Sequence, residues 1–323
     1  MVPFDAEGYK KFMSTTVADW LKTTVKGGQF AGCDGKRIQY YKAINPNAKA
    51  VIVMVHGFCE FFGKFHEMAY DFWESGYSVF FIEQRGHGLS YRPVKELDHV
   101  DVSDFSEYVE DLRCLLDRVV KPETKDLPLY LYAHSMGGCV SCLFLERHPE
   151  YFSAAILSSP MLKMTFGTIP LWQVRLLIVG SKVLKWDTKT MPGQNDFDGT
   201  PDFENSASTS RARFDYQFNL RVDPASNGMF TMNAGTYRWG RAAWKATHEL
   251  IEDEKNIQIP VLVCQAGIDY FVDNEGQDHF VKSAPNAKLI RFPEAKHEIF
   301  NSDDAVMEKY VTSVIEFYDS IQG

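Results

Sequence analysis

Ser135 lies in the stretch LYLYAHSMGGCV, Leu129 to Val140, where a β-type apolar run gives way to a helical one. A serine hydroxyl is a poor nucleophile until a neighbouring base takes its proton. One backbone solution sets the serine on a sharp strand-to-helix turn. The turn exposes Oγ and aims the N–H groups of the helix start at a reacting carbonyl. Residues two before and two after the serine must then be small, because strand and helix pass close together. Ala133 and Gly137 meet that demand and Gly138 adds room, although the pattern Gly-x-Ser-x-Gly has glycine at the first place. The alanine fits only if its position needs no positive φ.

Acyl transfer also needs donors for the oxygen on which charge develops in the transition state. The apolar run Val51 to Val55 ends in His56-Gly57-Phe58-Cys59-Glu60, a strand running into a turn. The backbone amides of Phe58 and Met136 are therefore the candidate donors. A base and its orienting acid should follow in the order Ser, Asp or Glu, His. Of nine histidines, His248, His279 and His297 lie well downstream of the serine. His297, in PEAKHEIF just after the strand-like KLIRF, occupies the loop expected to deliver the base. His248 and His279 fall in helical runs and read as surface or packing residues. The segment VLVCQAGIDYFVD offers Asp269 and Asp273, and Asp269 is favoured as the first after the strand. Either carboxylate has a plain alternative role as the cap of the next helix. In this reading His297 removes the Ser135 proton, Asp269 fixes the imidazole tautomer, and an acyl-enzyme forms and is hydrolysed by water.

Parallel strands and helices must carry these groups. Asp34-Gly35 between short alternating runs signals an early hairpin. VIVMV, SVFFI, LPLYLY, AAIL, VLVCQ and KLIRF then read as buried strands, with helical spacing over Glu67–Glu74, Asp104–Val120, Met136–His148 and Ser302–Ile321. Apolar strands alternating with helices mean a mostly parallel sheet covered on both faces. The alternation stops between Pro160 and about Tyr237. The expected organisation is a core of residues 1–159 and 238–323 with a cap, 160–237, inserted over the C-terminal edge of the sheet. The run TFGTIPLWQVRLLIVGSKVLKW suits a single acyl chain above the serine, with cap packing as the alternative use of Phe166, Ile169, Leu171, Trp172, Val174, Leu176, Leu177 and Ile178.

The 323 residues are 45% hydrophobic and 24% charged, with a formal charge of −9. That acidity argues against nucleic acid as a partner. The six cysteines read as buried free thiols, and no cofactor or metal is expected. The opening residues MVPFDAEGYKKF have no apolar core after a basic start, so no secretory signal is expected, and the apolar Met164 to Leu184 is broken by Pro170, Arg175 and Lys182. The expectation is a cytoplasmic protein without an integral membrane span, with transient membrane-surface contact through the cap left open. No phosphate-binding loop or basic cluster points to a phospholipid headgroup, and the oligomeric state is left open.

With these pieces assembled, the chain resembles α/β-hydrolases of the monoacylglycerol lipase and lysophospholipase L2 type, the serine aminopeptidase S33 or Hydrolase_4 grouping. The similar blocks are HGFCEFFGKF, EQRGHGLSYR, AHSMGGCVSCLFLERHPE, NDFDG, GTYRW, GIDYFVDN and KHEIFN, spread from about residue 25 to the C-terminus. The resemblance implies Ser135, Asp269 and His297 as a triad and Phe58 and Met136 as oxyanion donors. It also implies that Arg85, Gly86, His87 and Gly88 shape a structural turn near the site. Ala133 tilts the kinship toward the lysophospholipase branch. The implied substrate is a single-chain lipid ester. Small non-lipid esters, aminoacyl amides and acyl transfer to alcohols are the alternatives on the same residues, and a non-catalytic ligand-binding protein is the reading from another class.

Overall fold

The computed structural model describes residues 5–165 and 170–321. The hairpin at Asp34-Gly35 joins β1 (Lys26–Ala31) to an antiparallel β2 (Arg37–Ala43). Then follow β3 (Ala50–Val55), β4 (Tyr77–Glu83), a two-residue β5 (His99–Val100), β6 (Leu129–His134) and β7 (Ala154–Ser158). A two-residue β8 (Ala234–Gly235), β9 (Val261–Ile268) and β10 (Ala287–Lys296) complete the strands. The main sheet has the order β1-β2-β4-β3-β6-β7-β9-β10 and is parallel from β4 to β10. This is an α/β-hydrolase fold.

Side chains of a strand alternate between faces, so a strand covered on both sides is apolar throughout. β3 shows the consequence: Val51, Val53 and Val55 enter one core, while Ala50, Ile52 and Met54 enter the other. Two N-terminal helices, α1 (Ala6–Phe12) and α2 (Ala18–Thr23), are joined by a π-helical turn and bury Tyr9, Met13, Val17 and Trp20. With α3 (His66–Glu74) they cover one face of the sheet. The other face holds α4 (Ser106–Leu115), which runs through a π-helical turn into α5 (Lys121–Thr124), and α6 (Met136–Arg147).

Between β7 and the next core helix the chain adds α7 (Leu171–Val183) and α8 (Arg211–Val222). The core resumes with α9 (Tyr237–Asp253), α10 (Asn274–Ser283) and α11 (Asp304–Asp319). α8 is tied to the core by the buried Arg213, which donates to Glu67 on α3 at 2.8 Å, to Asp304 on α11 at 2.8 Å and to the Ser302 carbonyl at 3.0 Å. The apolar run of α7 faces elsewhere than expected. Val174 is buried, but Trp172, Leu176, Val179 and Val183 are 62, 63, 62 and 75% exposed and share one outward helix face. Phe166 and Ile169 lie outside the described residues. No helix among the described residues is long and apolar enough to cross a membrane.

The turn after β4 is built on buried charge. Arg85 donates to Asp111 at 2.7 and 2.9 Å and to Asp34 at 3.1 Å, and also pairs with Glu107. Gly86 and Gly88 take positive φ (78° and 46°), and the Glu83 carboxyl fills the space a Gly88 side chain would need. Burial pushes the Glu83 carboxyl from 4.5 to about 7, against the N–H bonds it accepts from Leu89 and Phe62. A folded value above the unfolded one stabilises the protein fully below about pH 4.5 and is lost as pH rises through about 7. Thermal unfolding of Glu83→Gln should therefore decline less steeply than wild type between about pH 5 and 7.5. Identical slopes would show that Glu83 does not titrate in this range.

Candidate active site

The parallel strands deliver every candidate group at their C-terminal ends, where ligands bind in open α/β sheets. Ser135 stands between β6 and α6 at φ 52°, ψ −120°, a conformation that costs a non-glycine residue of order 1–3 kcal/mol. Cross-links hold it there: its N–H donates to the Ser158 carbonyl at 3.0 Å, and its own carbonyl accepts from Met161 at 2.9 Å and Gly138 at 2.8 Å. At Gly137 an added Cβ would run into the Val55 carbonyl and lie 2.6 Å from the His56 carbonyl oxygen. Ala133 is different. It is extended in β6, paired with Val55 and Leu157, and outside the set of positive-φ residues. Its position asks for small size only.

His297 follows β10, and its Nε2 lies 2.8 Å from Ser135 Oγ. Its Nδ1 meets Asp269 Oδ2 at 2.7 Å. Asp269 Oδ1 accepts from the amides of Phe271 at 2.9 Å and Val272 at 3.1 Å. Burial works against the Asp269 carboxylate, but its hydrogen bond to His297, the charge of that ring and the two amides outweigh it and hold the group below its ordinary value. Asp273 has the capping role instead: it accepts from Glu275 N at the start of α10 and pairs with Lys163 at 2.7 Å. Gly267, two residues before Asp269, is required by the Pro293 backbone, which leaves no room for a Cβ. His248 bonds the Trp244 carbonyl and His279 bonds Glu254, both away from the serine.

Among the described residues, the amides of Phe58 and Met136 have no recorded acceptor. Phe58 is followed by Cys59 at φ 58°, whose N–H donates to His87 Nε2 at 3.2 Å. Burial keeps His87 neutral, so this nitrogen is free to accept. The RGHG turn thus reaches the loop that carries the Phe58 amide directly. Burial also pushes the Cys59 thiol up to about 12, which leaves it unreactive near neutrality. Cys139 and Cys142, three apart on α6, are fully buried with thiols likewise raised, while Cys33 is exposed.

A buried charge cluster beneath the serine escaped the sequence reading. His134 Nδ1 lies 3.1 Å from Glu60 Oε2, and its Nε2 lies 3.4 Å from the His297 carbonyl. Glu60 also accepts from Gly57 N, and Lys64 joins Glu60 to Glu298. Against burial, His134 and Lys64 hold Glu60 ionised, and Glu60 in turn raises His134. The available signal was Glu60 itself, three residues past Gly57 in the turn after β3.

A cavity of about 1150 Å³ opens above Ser135 and His297. Phe58, Met161, Met164, Met191, Trp239 and Phe271 give it apolar wall, and Lys64 and Arg221 also line it. Among the described residues, none of this wall comes from α7. The nearest approach to a metal-ligand group among the described residues is Asp98, His99 and Asp196, where His99 and Asp196 already bond each other at 2.9 Å.

A serine on a strained strand-to-helix turn, at the C-terminal edge of this sheet and bonded to histidine, defines a hydrolase of the α/β-hydrolase fold. The sequence profile of the Hydrolase_4 family, described as serine aminopeptidase S33, matches residues 46–304, and the chain belongs to that family. It is 28% identical over 307 residues to lysophospholipase L2 of Escherichia coli, covering 90% of this chain and 86% of the relative. It is also 28% identical over 286 residues to the monoacylglycerol lipase of Mycolicibacterium smegmatis, covering 88% and 94%. The fold matches a soluble variant of monoglyceride lipase from Saccharomyces cerevisiae with a TM-score of 0.73 and 22% identity, covering 93% and 96%.

The two ends of the turn motif should respond differently to substitution. Ala133→Gly is expected to lower unfolding free energy by only about 0.5–1 kcal/mol through backbone entropy. Gly137→Ala should cost at least about 1–3 kcal/mol through overpacking. Urea unfolding of the two variants measures both.

Proposed function

We propose that this chain is a serine ester hydrolase that works through an acyl-enzyme on single-chain lipids, a lysophospholipid or a monoacylglycerol. The observation that carries the reading is the hydrogen-bonded line Ser135 Oγ, His297, Asp269, at 2.8 and 2.7 Å, on the wall of a partly apolar cavity. Ser135 is the nucleophile and His297 the base that takes its proton and returns it to the leaving alcohol. Asp269 holds the imidazole in one tautomer and stabilises the imidazolium. The Phe58 and Met136 amides receive the negative charge on the carbonyl oxygen of the tetrahedral intermediate. Water then attacks the acyl-Ser135 ester with His297 again as base.

Residues 160–237 serve as the cap of a core formed by 1–159 and 238–323, and the apolar cavity wall takes the acyl chain. The names of the relatives, lysophospholipase and monoacylglycerol lipase, support this substrate class. The outward face of α7, with Trp172, Leu176, Val179 and Val183, supports transient contact with a lipid surface.

Ser135→Ala should lower kcat on p-nitrophenyl esters by several orders of magnitude with an unchanged circular dichroism spectrum. Asp269→Asn should lose about 10⁴ in kcat, and Asp273→Asn less than about tenfold. The reverse order would reassign the acid. A panel of p-nitrophenyl esters, monoacylglycerols, lysophospholipids and aminoacyl amides tests the substrate class. Turnover confined to short esters or amides would overturn the lipid assignment while leaving the triad standing.

A further inference from the structure

Two cationic side chains, Lys64 and Arg221, line the cavity above Ser135. Lys64 is neutralised by Glu60 and Glu298. Arg221 has no carboxylate partner among the described residues. Its Nε donates to the Phe230 carbonyl at 3.3 Å, and its Nη2 donates to the carbonyls of Thr231 and Met232 and to Asn233 Oδ1 at 2.9 Å. One face of the guanidinium stacks on Phe197, with Cζ 4.2 Å from the ring centroid. Nη1 donates to nothing among the described residues. The group is therefore held on three sides, half-buried, with one pair of N–H donors left over. A desolvated cation without a counter-charge is unfavourable, and a guanidinium is ionised at every relevant pH. A ligand anion relieves that cost.

We propose that Arg221 is the subsite for the phosphodiester of a lysophospholipid headgroup and sets a preference for such lipids over neutral monoacylglycerols. The inference rests on the reading of the cavity as a single-chain lipid ester site. A fatty acyl chain carries no charge and belongs against the apolar wall, so the anion must lie in the alcohol half of the ester. Charge-assisted hydrogen bonds from a braced guanidinium suit a phosphate oxygen. Glu60 and Glu298 line the cavity too and are paired with Lys64; the carboxylates of Asp196, Asp198 and Asp202 also line it, but all three are exposed to water and already engaged: with His99, the Thr200 amide and Asn205 respectively. Screening weakens their opposition to an anion held at Arg221.

The test is kcat/KM for lysophosphatidylcholine and for a monoacylglycerol of the same acyl chain, in mixed micelles of one neutral detergent, with wild type, Arg221→Ala and Arg221→Lys. The expected result is a fall in the phospholipid-to-glyceride ratio of about tenfold to a hundredfold in Arg221→Ala, carried mainly by KM, with partial recovery in Arg221→Lys. Because Arg221 also braces residues 230–233, a structural loss would lower both substrates together and leave the ratio unchanged, which would overturn the assignment. Wild-type turnover of short esters but of neither lipid would overturn the substrate class and the subsite with it.

Discussion

The backbone of Ser135 is the constraint on which the site depends. Its φ of 52° is unfavourable for a serine, and it persists because three neighbouring segments grip the turn. Ser158 at the end of β7 takes its N–H, and Met161 and Gly138 donate to its carbonyl. The helix that follows can begin only because Gly137 lets its backbone press against the carbonyls of Val55 and His56. The register of β3, β6 and β7 therefore fixes where Oγ sits, and the loops after β9 and β10 then bring Asp269 and His297 to it. Strain concentrated at one residue is sustained by the stiffest part of the molecule, the centre of the sheet.

Around that point the electrostatics are layered. Asp269 stays ionised because His297 and two amides hold it, and Glu60 because His134 and Lys64 do. His134, next to Ser135 in sequence, thereby connects the turn that carries Phe58 with the loop that carries His297. These buried charges are all partnered, as low-dielectric burial requires. Arg221 stands apart because its partners are carbonyl and amide oxygens.

Much of this was legible in the sequence because the interior imposes simple patterns. Strands covered on both faces appear as VIVMV, SVFFI and VLVCQ; chain order leaves His248, His279 and His297, and only His297 directly follows a strand-like run. The site's outer wall was not legible. Hydrophobicity identifies α7 as apolar but not the direction it faces, and Trp172 and Leu176 point to the exterior. The cavity wall draws instead on Met191 and Phe197, in a turn-rich stretch without periodicity, and on Phe218 of α8. Arg221 gives no signal either, since its character comes from the carbonyls of residues 230–232 folding back onto it. The N-terminal helices were missed for another reason: Tyr9, Met13, Val17 and Trp20 do recur at helical spacing, but polar residues dilute the pattern.

The tie made by Arg213 has a mechanical side. By gripping Glu67 and Asp304 it rivets α8 to helices packed on the sheet. Any rearrangement that admits a long substrate and keeps this tie leaves α8 as a fixed post. The same rivet couples melting of the insertion to melting of the sheet, since freeing α8 would strand Glu67 in the interior without its cation. The molecule should lose its structure in one cooperative step.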